Sequence, residues 1–373
     1  MTENIDPLAN IFNERSPKDI NDFRNILEEA IEATGANENL PEIGNFLAEV
    51  EISKKEAHTL TTDIHVPKGE GPFPILVYFH GGGWISGSPK SHRKICHRFA
   101  EAGILVFNVD YALAPENPFP QGFDECCEAL RWVVDNASEY NGDSNNLSVG
   151  GDSAGGNLTA ACAAALIEDN QVDIKKILLI YGVFDFSTMN QSSNDTATES
   201  GSQDLLMEMM VGSYLGADRD ENTLSDPRVS PIHVANKLPP AHILCGTLDG
   251  LITGSKLLAE KMNSFGIQNE EFYYENMPHG FLHFEDFFPE SVKLNRSWIF
   301  LSIDFSGTTL TFRLSSIASM GYFFTDTDTV FGTFSDIAER WPARLFLNVL
   351  PETAAAYGIA AGETTYGRLL VDV

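Results

Sequence analysis

The stretch Leu147-Ser148-Val149-Gly150-Gly151-Asp152-Ser153-Ala154-Gly155-Gly156-Asn157 constrains this 373-residue chain more than any other. It reads as an apolar strand ending in glycine, a serine on a tight turn, and an alanine-rich helix from Leu158 to Ile167. Gly151-Asp152-Ser153-Ala154-Gly155 fits the G-x-S-x-G pattern. In that pattern a strained strand-to-helix turn lifts the serine hydroxyl above a sheet, and the flanking glycines let neighbouring backbone pass closely. The turn also aims the amide of Ala154 at the place where negative charge develops on an attacked carbonyl. The competing reading is a glycine-rich loop that binds a phosphate. The rest of the chain separates the two.

Upstream, the helix-forming segment up to residue 48 has a start signal at Ser16-Pro17, followed by Ile20, Phe23, Leu27, Ala30 and Ile31 at helical spacing. Glu49 to Ile64 is expected to form an antiparallel edge pair. Pro74-Ile75-Leu76-Val77-Tyr78-Phe79 and Ile104-Leu105-Val106-Phe107-Asn108-Val109 are continuous apolar runs, as strands buried on both faces require. His80-Gly81-Gly82-Gly83-Trp84 follows the first of these runs. Three glycines there are entropically costly unless the backbone has a task, and presenting amide N–H groups to an oxyanion is such a task. Helices are expected over Ser91–Ala102, which reads as a surface helix carrying His92 and His97, and over Phe123–Asn136. Further strands are expected at Lys176–Tyr181, Ala241–Gly246 and Glu271–Tyr274, with helices at Ser255–Ser264 and from Pro289 to about Ile303. Alternating strands and helices predict a mostly parallel sheet with helices on both faces. Residues 187–223 break the pattern after a strand end and read as an insertion over the ligand crevice, with Leu205, Leu206, Met207, Met209, Met210 and Tyr214 as its apolar anchors.

Bulk properties narrow the function. Hydrophobic residues make up 43% and charged residues 21%, the balance of a globular protein, and the net charge of −29 argues against nucleic acid or an anionic membrane as partner. So acidic a surface also suits solubility at high salt. The N-terminus carries no signal-peptide pattern, no apolar run reaches membrane-spanning length, and the five cysteines fit reduced thiols in a cytoplasm. The spacing of the nine histidines suggests no metal site, and no cofactor is expected.

A serine hydroxyl is a weak nucleophile that needs a base, and the base needs an orienting acid. After Ser153, the aspartate Asp249 and then the histidine His279 each follow an apolar strand, the chain order of α/β-hydrolases. Asp185 comes one strand too early. His283 reads as a bystander, and His80 as a residue that shapes the glycine loop.

Four ordered segments resemble the hormone-sensitive lipase family of α/β-hydrolase esterases, in its bacterial Gly-Asp-Ser-Ala-Gly branch. They are His80–Trp84, Asp110-Tyr111-Ala112-Leu113-Ala114-Pro115-Glu116, Gly151–Asn157 and Met277-Pro278-His279-Gly280-Phe281. The resemblance spans roughly residues 10 to 305. It implies an α/β-hydrolase fold with Ser153 as nucleophile, His279 as general base and acid, and Asp249 as its orienting partner. The amides of Gly82, Gly83 and Ala154 would form the oxyanion hole. Residues 1–48 and the 187–223 insertion would form a helical cap on a 49–305 catalytic domain, leaving 306–373 as an extension without a motif. Two departures stand out. Gly250 occupies the place where the family often has proline, which would loosen the Asp249 loop. Ala112 replaces a frequent basic residue, which implies a missing ion pair. The expected activity is hydrolysis of short-acyl carboxylic esters, small molecules, by a cytoplasmic enzyme, with a homodimer as the candidate assembly. An amidase, deacetylase or lactonase on the same fold, or a hydrolase-fold receptor without turnover, are the alternatives.

Overall fold

A computed structural model describes residues 15, 17–33, 35, 37–55, 58–169, 171–186 and 200–285, and the backbone of 345–348 and 368–371. The chain divides into two compact units, 1–298 and 299–373.

The first unit is built on an eight-stranded sheet. Its strands are β1 (Asn45–Lys54), β2 (Thr59–Val66), β3 (Phe73–Phe79), β4 (Leu105–Asp110), β5 (Gly142–Asp152), β6 (Ile174–Ile180), β7 (Ala241–Gly246) and β8 (Asn269–Tyr274). Their spatial order is β1-β2-β4-β3-β5-β6-β7-β8. The first two pairings, β1 with β2 and β2 with β4, are antiparallel. All others are parallel. The edge pair and the buried strands thus lie where the apolar runs place them. Ile75, Val77, Phe79, Phe107, Val149, Leu179 and Ile243 are buried in the central strands. Each such side chain contributes about 1.5–3 kcal/mol by leaving water.

The helices are α1 (Ile20–Ala33), α2 (Arg93–Glu101), α3 (Gln121–Asn136), α4 (Ala154–Leu166), α5 (Ser200–Leu215), α6 (Glu221–Ser225) and α7 (Ile252–Ser264). Asp19 caps α1 by accepting from the Asp22 amide at 2.9 Å, while Asp22 accepts from the Lys18 amide at 3.0 Å. This reciprocal arrangement satisfies two otherwise orphaned donors. The start expected at Ser16 lies outside the described residues. The helix α4 starts at Ala154, four residues before the expected Leu158, because the serine turn itself is its N-terminal boundary.

One expectation fails. The helix α2 is not a surface helix, since Ile95, Cys96, His97 and Phe99 are all buried, as is His92 at its start. The antiparallel β1–β2 pair covers it. Phe46 of β1 meets the His97 ring at 5.5 Å, and His65 of β2 meets it at 4.9 Å. The five cysteines are free and buried. No helix among the described residues is long and apolar enough to cross a membrane.

In the second unit β9 (Leu345–Asn348) and β10 (Arg368–Val371) pair antiparallel, Leu347 opposite Leu369. Both strands lie in the 306–373 extension, in which the sequence offers no motif. The helix expected from Pro289 to about Ile303 lies outside the described residues.

Candidate active site

Adjacent parallel strands end at one level, so their carboxyl-terminal loops converge: Phe79 pairs with Gly151, Ile180 with Leu244, and Gly246 with Tyr274. Ser153 follows β5, Asp249 follows β7, and His279 follows β8. The structure brings the three together. His279 Nε2 lies 3.0 Å from Ser153 Oγ, and His279 Nδ1 lies 2.8 Å from Asp249 Oδ2. Asp249 is 3% exposed, whereas the hydroxyl and imidazole are half-buried and open to a ligand. Asp249, one of the two aspartates that the sequence offered, thus lies beside the His279 ring. Its second oxygen, Oδ1, accepts from the Leu251 amide at 2.8 Å. Its loop is tied to the histidine loop by Leu248 N–H to Met277 O at 3.1 Å and Asn276 N–H to Thr247 Oγ1 at 2.8 Å. Gly250 therefore does not leave the carboxylate loose.

Ser153 has φ 53° and ψ −117°, the strained left-handed backbone of a tight strand-to-helix turn. Its amide donates to Ile180 O at 2.9 Å. Glycine is required beside it. A Cβ on Gly151 would lie 2.4 Å from Phe79 O, and one on Gly155 only 1.9 Å from the same oxygen. Asn157, the last residue of the motif, donates its side-chain amide to Val183 O at 2.7 Å and Val229 O at 2.8 Å, anchoring α4 to two loops.

The glycine loop carries Gly82 at φ 123°, Gly83 at φ 61° and Trp84 at φ 62°, three left-handed residues in a row. For Trp84 that conformation costs about 1–2 kcal/mol. Its indole compensates by stacking on Tyr214 of α5, centroids 4.9 Å apart and planes within 8°. The insertion helix α5 also presses Met210 onto the loop, since a Cβ on Gly83 would sit 2.2 Å from its sulfur. The amides of Gly82, Gly83 and Ala154 donate to no other described residue. The remainder of the insertion, 187–199, lies outside the described residues.

Beneath this surface is a buried polar cluster that the sequence reading missed. Asp152 Oδ1 accepts from Tyr78 Oη at 2.8 Å and from the Gly81 amide at 3.0 Å, and His92 Nε2 lies 3.1 Å away. His283 Nε2 stands 3.9 Å from the other oxygen. Burial alone would push the Asp152 carboxyl up, but His92 and His283 beside it together hold it well below the usual carboxylate range. Burial, then repulsion from His92, lowers His283. Burial, then His92, lowers His80 to about 3. The spacing of the histidines gave no hint of this cluster, and His283 is no bystander. The donor atoms of His92, Asp152 and His283 lie within 4.8 Å of one another, the one such group among the described residues. Asp152 Oδ1 already accepts two hydrogen bonds there, so the arrangement serves as a junction joining glycine loop, serine turn and histidine loop.

The ion pair implied to be missing at Ala112 has a substitute. Glu116, in the same segment, is gripped by Arg24 of α1 at 2.9 and 2.8 Å.

A family model described as alpha/beta hydrolase fold matches residues 76–283. The carboxylesterase NlhH of Mycobacterium tuberculosis is 34% identical over 218 residues, which cover 57% of this chain and 67% of that protein. An ethyl acetate hydrolase of Pseudomonas putida is 28% identical over 243 residues, covering 63% and 76%. Among solved structures, the thermostable carboxylesterase EstE1 from a metagenomic library superposes with a TM-score of 0.68 at 29% identity, covering 76% of this chain and 98% of its own. An esterase of the archaeon Pyrobaculum calidifontis gives 0.69 at 26%, covering 79% and 96%.

Proposed function

The chain belongs to the hormone-sensitive lipase family of α/β-hydrolases, and from that premise we propose that it is a serine carboxylesterase acting on small, short-acyl esters. The observation that carries this reading is the continuous relay from Ser153 Oγ through His279 to the buried Asp249, at 3.0 and 2.8 Å, at the ends of parallel strands.

In the proposed reaction the Ser153 hydroxyl attacks the ester carbonyl while His279 Nε2 takes its proton. Asp249 holds the ring by accepting from Nδ1–H and stabilises the imidazolium. The carbonyl oxygen becomes an oxyanion, received by the amides of Gly82, Gly83 and Ala154. Collapse of the tetrahedral intermediate expels the alkoxide, which leaves as the alcohol with the proton from His279. Water, deprotonated by His279, then cleaves the acyl-serine ester by the same route, releasing the acid and restoring Ser153. Because donors fixed by the fold need no reorganisation as charge develops, each is worth on the order of 2.7–4 kcal/mol of barrier.

We read a preference for short acyl groups from the packing over the glycine loop, where Met210 lies against Gly83 and Trp84 stacks on Tyr214. We read α5 as a cap element on that basis, and α1 as another because Arg24 reaches Ile85 O of the same loop. Five buried, unpaired thiols support a reducing, cytoplasmic location, and the proposed homodimer is read by light scattering on the purified chain. A panel of p-nitrophenyl esters of rising acyl length, run beside a p-nitroanilide and a lactone, tests the reaction class. Highest kcat/KM on acetate to butyrate supports the proposal. Turnover confined to the anilide or the lactone rejects it.

A further inference from the structure

The glycine loop is three residues of left-handed backbone followed by Ile85; the amides of Ile85 and Ser86 close its turn on Gly82 O at 3.2 and 3.0 Å, but these bonds within the loop do not place it relative to its neighbours. Its inner side is fastened through the Gly81 amide to Asp152 at 3.0 Å and through Ser86 Oγ to Gly82 O at 2.7 Å. Its outer side is fastened by the first helix. Arg24 Nε donates to Ile85 O at 2.6 Å, and Nη2 donates to Ala114 O at 2.9 Å. Ala114 in turn donates its amide to Trp84 O at 2.9 Å. Glu116 holds the guanidinium fork from behind, one oxygen on each terminal nitrogen. One side chain thus spans three separate segments: α1, the glycine loop and the 114–116 turn.

We propose that Arg24 is a positioning residue for the oxyanion loop, and that α1 is thereby part of the catalytic machinery and not only a cover. The inference rests on the esterase reading for its consequence in turnover, but its geometry is independent of it. The planar fork is what makes the role possible. Nε and Nη2 point in directions fixed relative to each other, so placing one on Ile85 O and the other on Ala114 O sets the separation of the two backbones. A lysine ammonium, a single point donor on a flexible stem, cannot fix that separation. The contacts also explain how a chain with alanine at position 112 keeps a basic group against Glu116: the group comes from the N-terminal helix. If Arg24 only fastened α1 to the body, its loss would loosen the helix and leave the loop unchanged.

The test compares Arg24→Ala, Arg24→Lys and Arg15→Ala in the full chain. Arg15 pairs with Glu29 on the exposed side of α1 and so controls for helix stability. Two readouts are needed: steady-state kinetics with p-nitrophenyl acetate, and amide hydrogen exchange over residues 81–86. For Arg24→Ala the expected fall in kcat is roughly tenfold to a hundredfold, the scale of a small misplacement of catalytic groups. KM should change little, and affinity for a trifluoromethyl ketone should fall in parallel with kcat/KM. Exchange should quicken over 81–86 and stay unchanged over the serine turn. Arg24→Lys should recover little, added guanidinium should partly rescue Arg24→Ala, and Arg15→Ala should match the parent in both readouts. Parental kcat and parental exchange over 81–86 in Arg24→Ala, whatever its melting temperature, would overturn the proposal. Should the parent hydrolyse no ester, the esterase reading falls, while the exchange comparison still decides whether Arg24 holds the loop.

Discussion

The serine turn and the glycine loop serve the same carbonyl in the proposed reaction, yet they are held in opposite ways. The turn is held by backbone. Ser153 N–H bonds to Ile180 O, and Gly151 and Gly155 let the chain close onto Phe79 O with no space for a side chain. The glycine loop has backbone bonds too, within itself and from Ala114 to Trp84 O, but most of what places it comes from side chains afar: Arg24, Asp152 and, through the Trp84 stack, Tyr214. A turn fixed by sterics is carried by its own five residues and the backbone of the two strands beside it, β3 and β6. A loop fixed by distant donors depends on the whole unit being folded, and is where substitution far from the chemistry can reach the chemistry.

Four perturbations break or sharpen that contrast. The largest effect is expected for Gly155→Ala. Its Cβ would meet Phe79 O at 1.9 Å and His80 O at 2.7 Å, and backbone of a central strand cannot move aside. A loss of more than about 3 kcal/mol in urea denaturation is expected, with activity lost in step. Next comes Asp152→Asn, which keeps the shape but removes the charge that the Tyr78 hydroxyl and the Gly81 amide bond to. A loss of about 1.5–3 kcal/mol is expected, together with faster amide exchange at Gly81 and Gly82.

Acidification probes the buried histidines, His283 of this junction among them, without mutation. The buried His80 has its pKa lowered to about 3, His242 to about 4, and His65 and His283 are lowered too, with burial the largest cause in each. Between the ordinary histidine value of about 6.5 and those depressed values, the unfolded chain binds protons that the folded chain refuses. Stability is therefore complete above about pH 6.5 and falls as the pH drops. His80 alone accounts for on the order of 2 kcal/mol by pH 5. Asp152, held low, adds its own loss only below about pH 4, where the unfolded carboxylate takes a proton first. Melting temperatures measured from pH 8 to pH 4 check both the onset and the direction; a flat profile down to pH 5 contradicts the buried neutral histidines.

The smallest loss of stability is expected for Gly83→Ala. Its neighbour is the sulfur of Met210, the flexible end of a side chain, so the contact can relax and the φ of 61° leaves a penalty of about 1 kcal/mol. Adding Met210→Ala should recover little of it. A Gly83→Ala loss as large as that of Gly155→Ala would erase the distinction between the two loops.

The same distinction governs what could be read from the chain. Strands such as Pro74–Phe79 and Ala241–Gly246 announce themselves because both faces are buried and nearly every position is apolar, His242 being the exception. Ser153 and Asp249 were legible because each sits just past a buried strand, whereas His279 follows the part-exposed, half-polar β8 and was legible from its place in the chain order Ser, Asp, His. The clamp of Arg24 and the cluster of Asp152, His92 and His283 were not. Nothing in sequence spacing says that α2, which carries a polar stripe, lies under the β1–β2 pair, nor that residue 24 meets residue 116. Polar groups buried by tertiary packing look, in one dimension, like polar groups on a surface.

The central claim is that Ser153, activated by His279, is the nucleophile, and covalent trapping tests it most directly. The full chain is treated with diethyl p-nitrophenyl phosphate, released p-nitrophenolate is counted against protein, and the adduct is located by peptide mass spectrometry. One phosphoryl group per chain on the peptide containing Ser153 is predicted, absent from Ser153→Ala and greatly slowed in His279→Ala. Stoichiometric labelling of another residue, or ester turnover that persists in Ser153→Ala, would contradict the account.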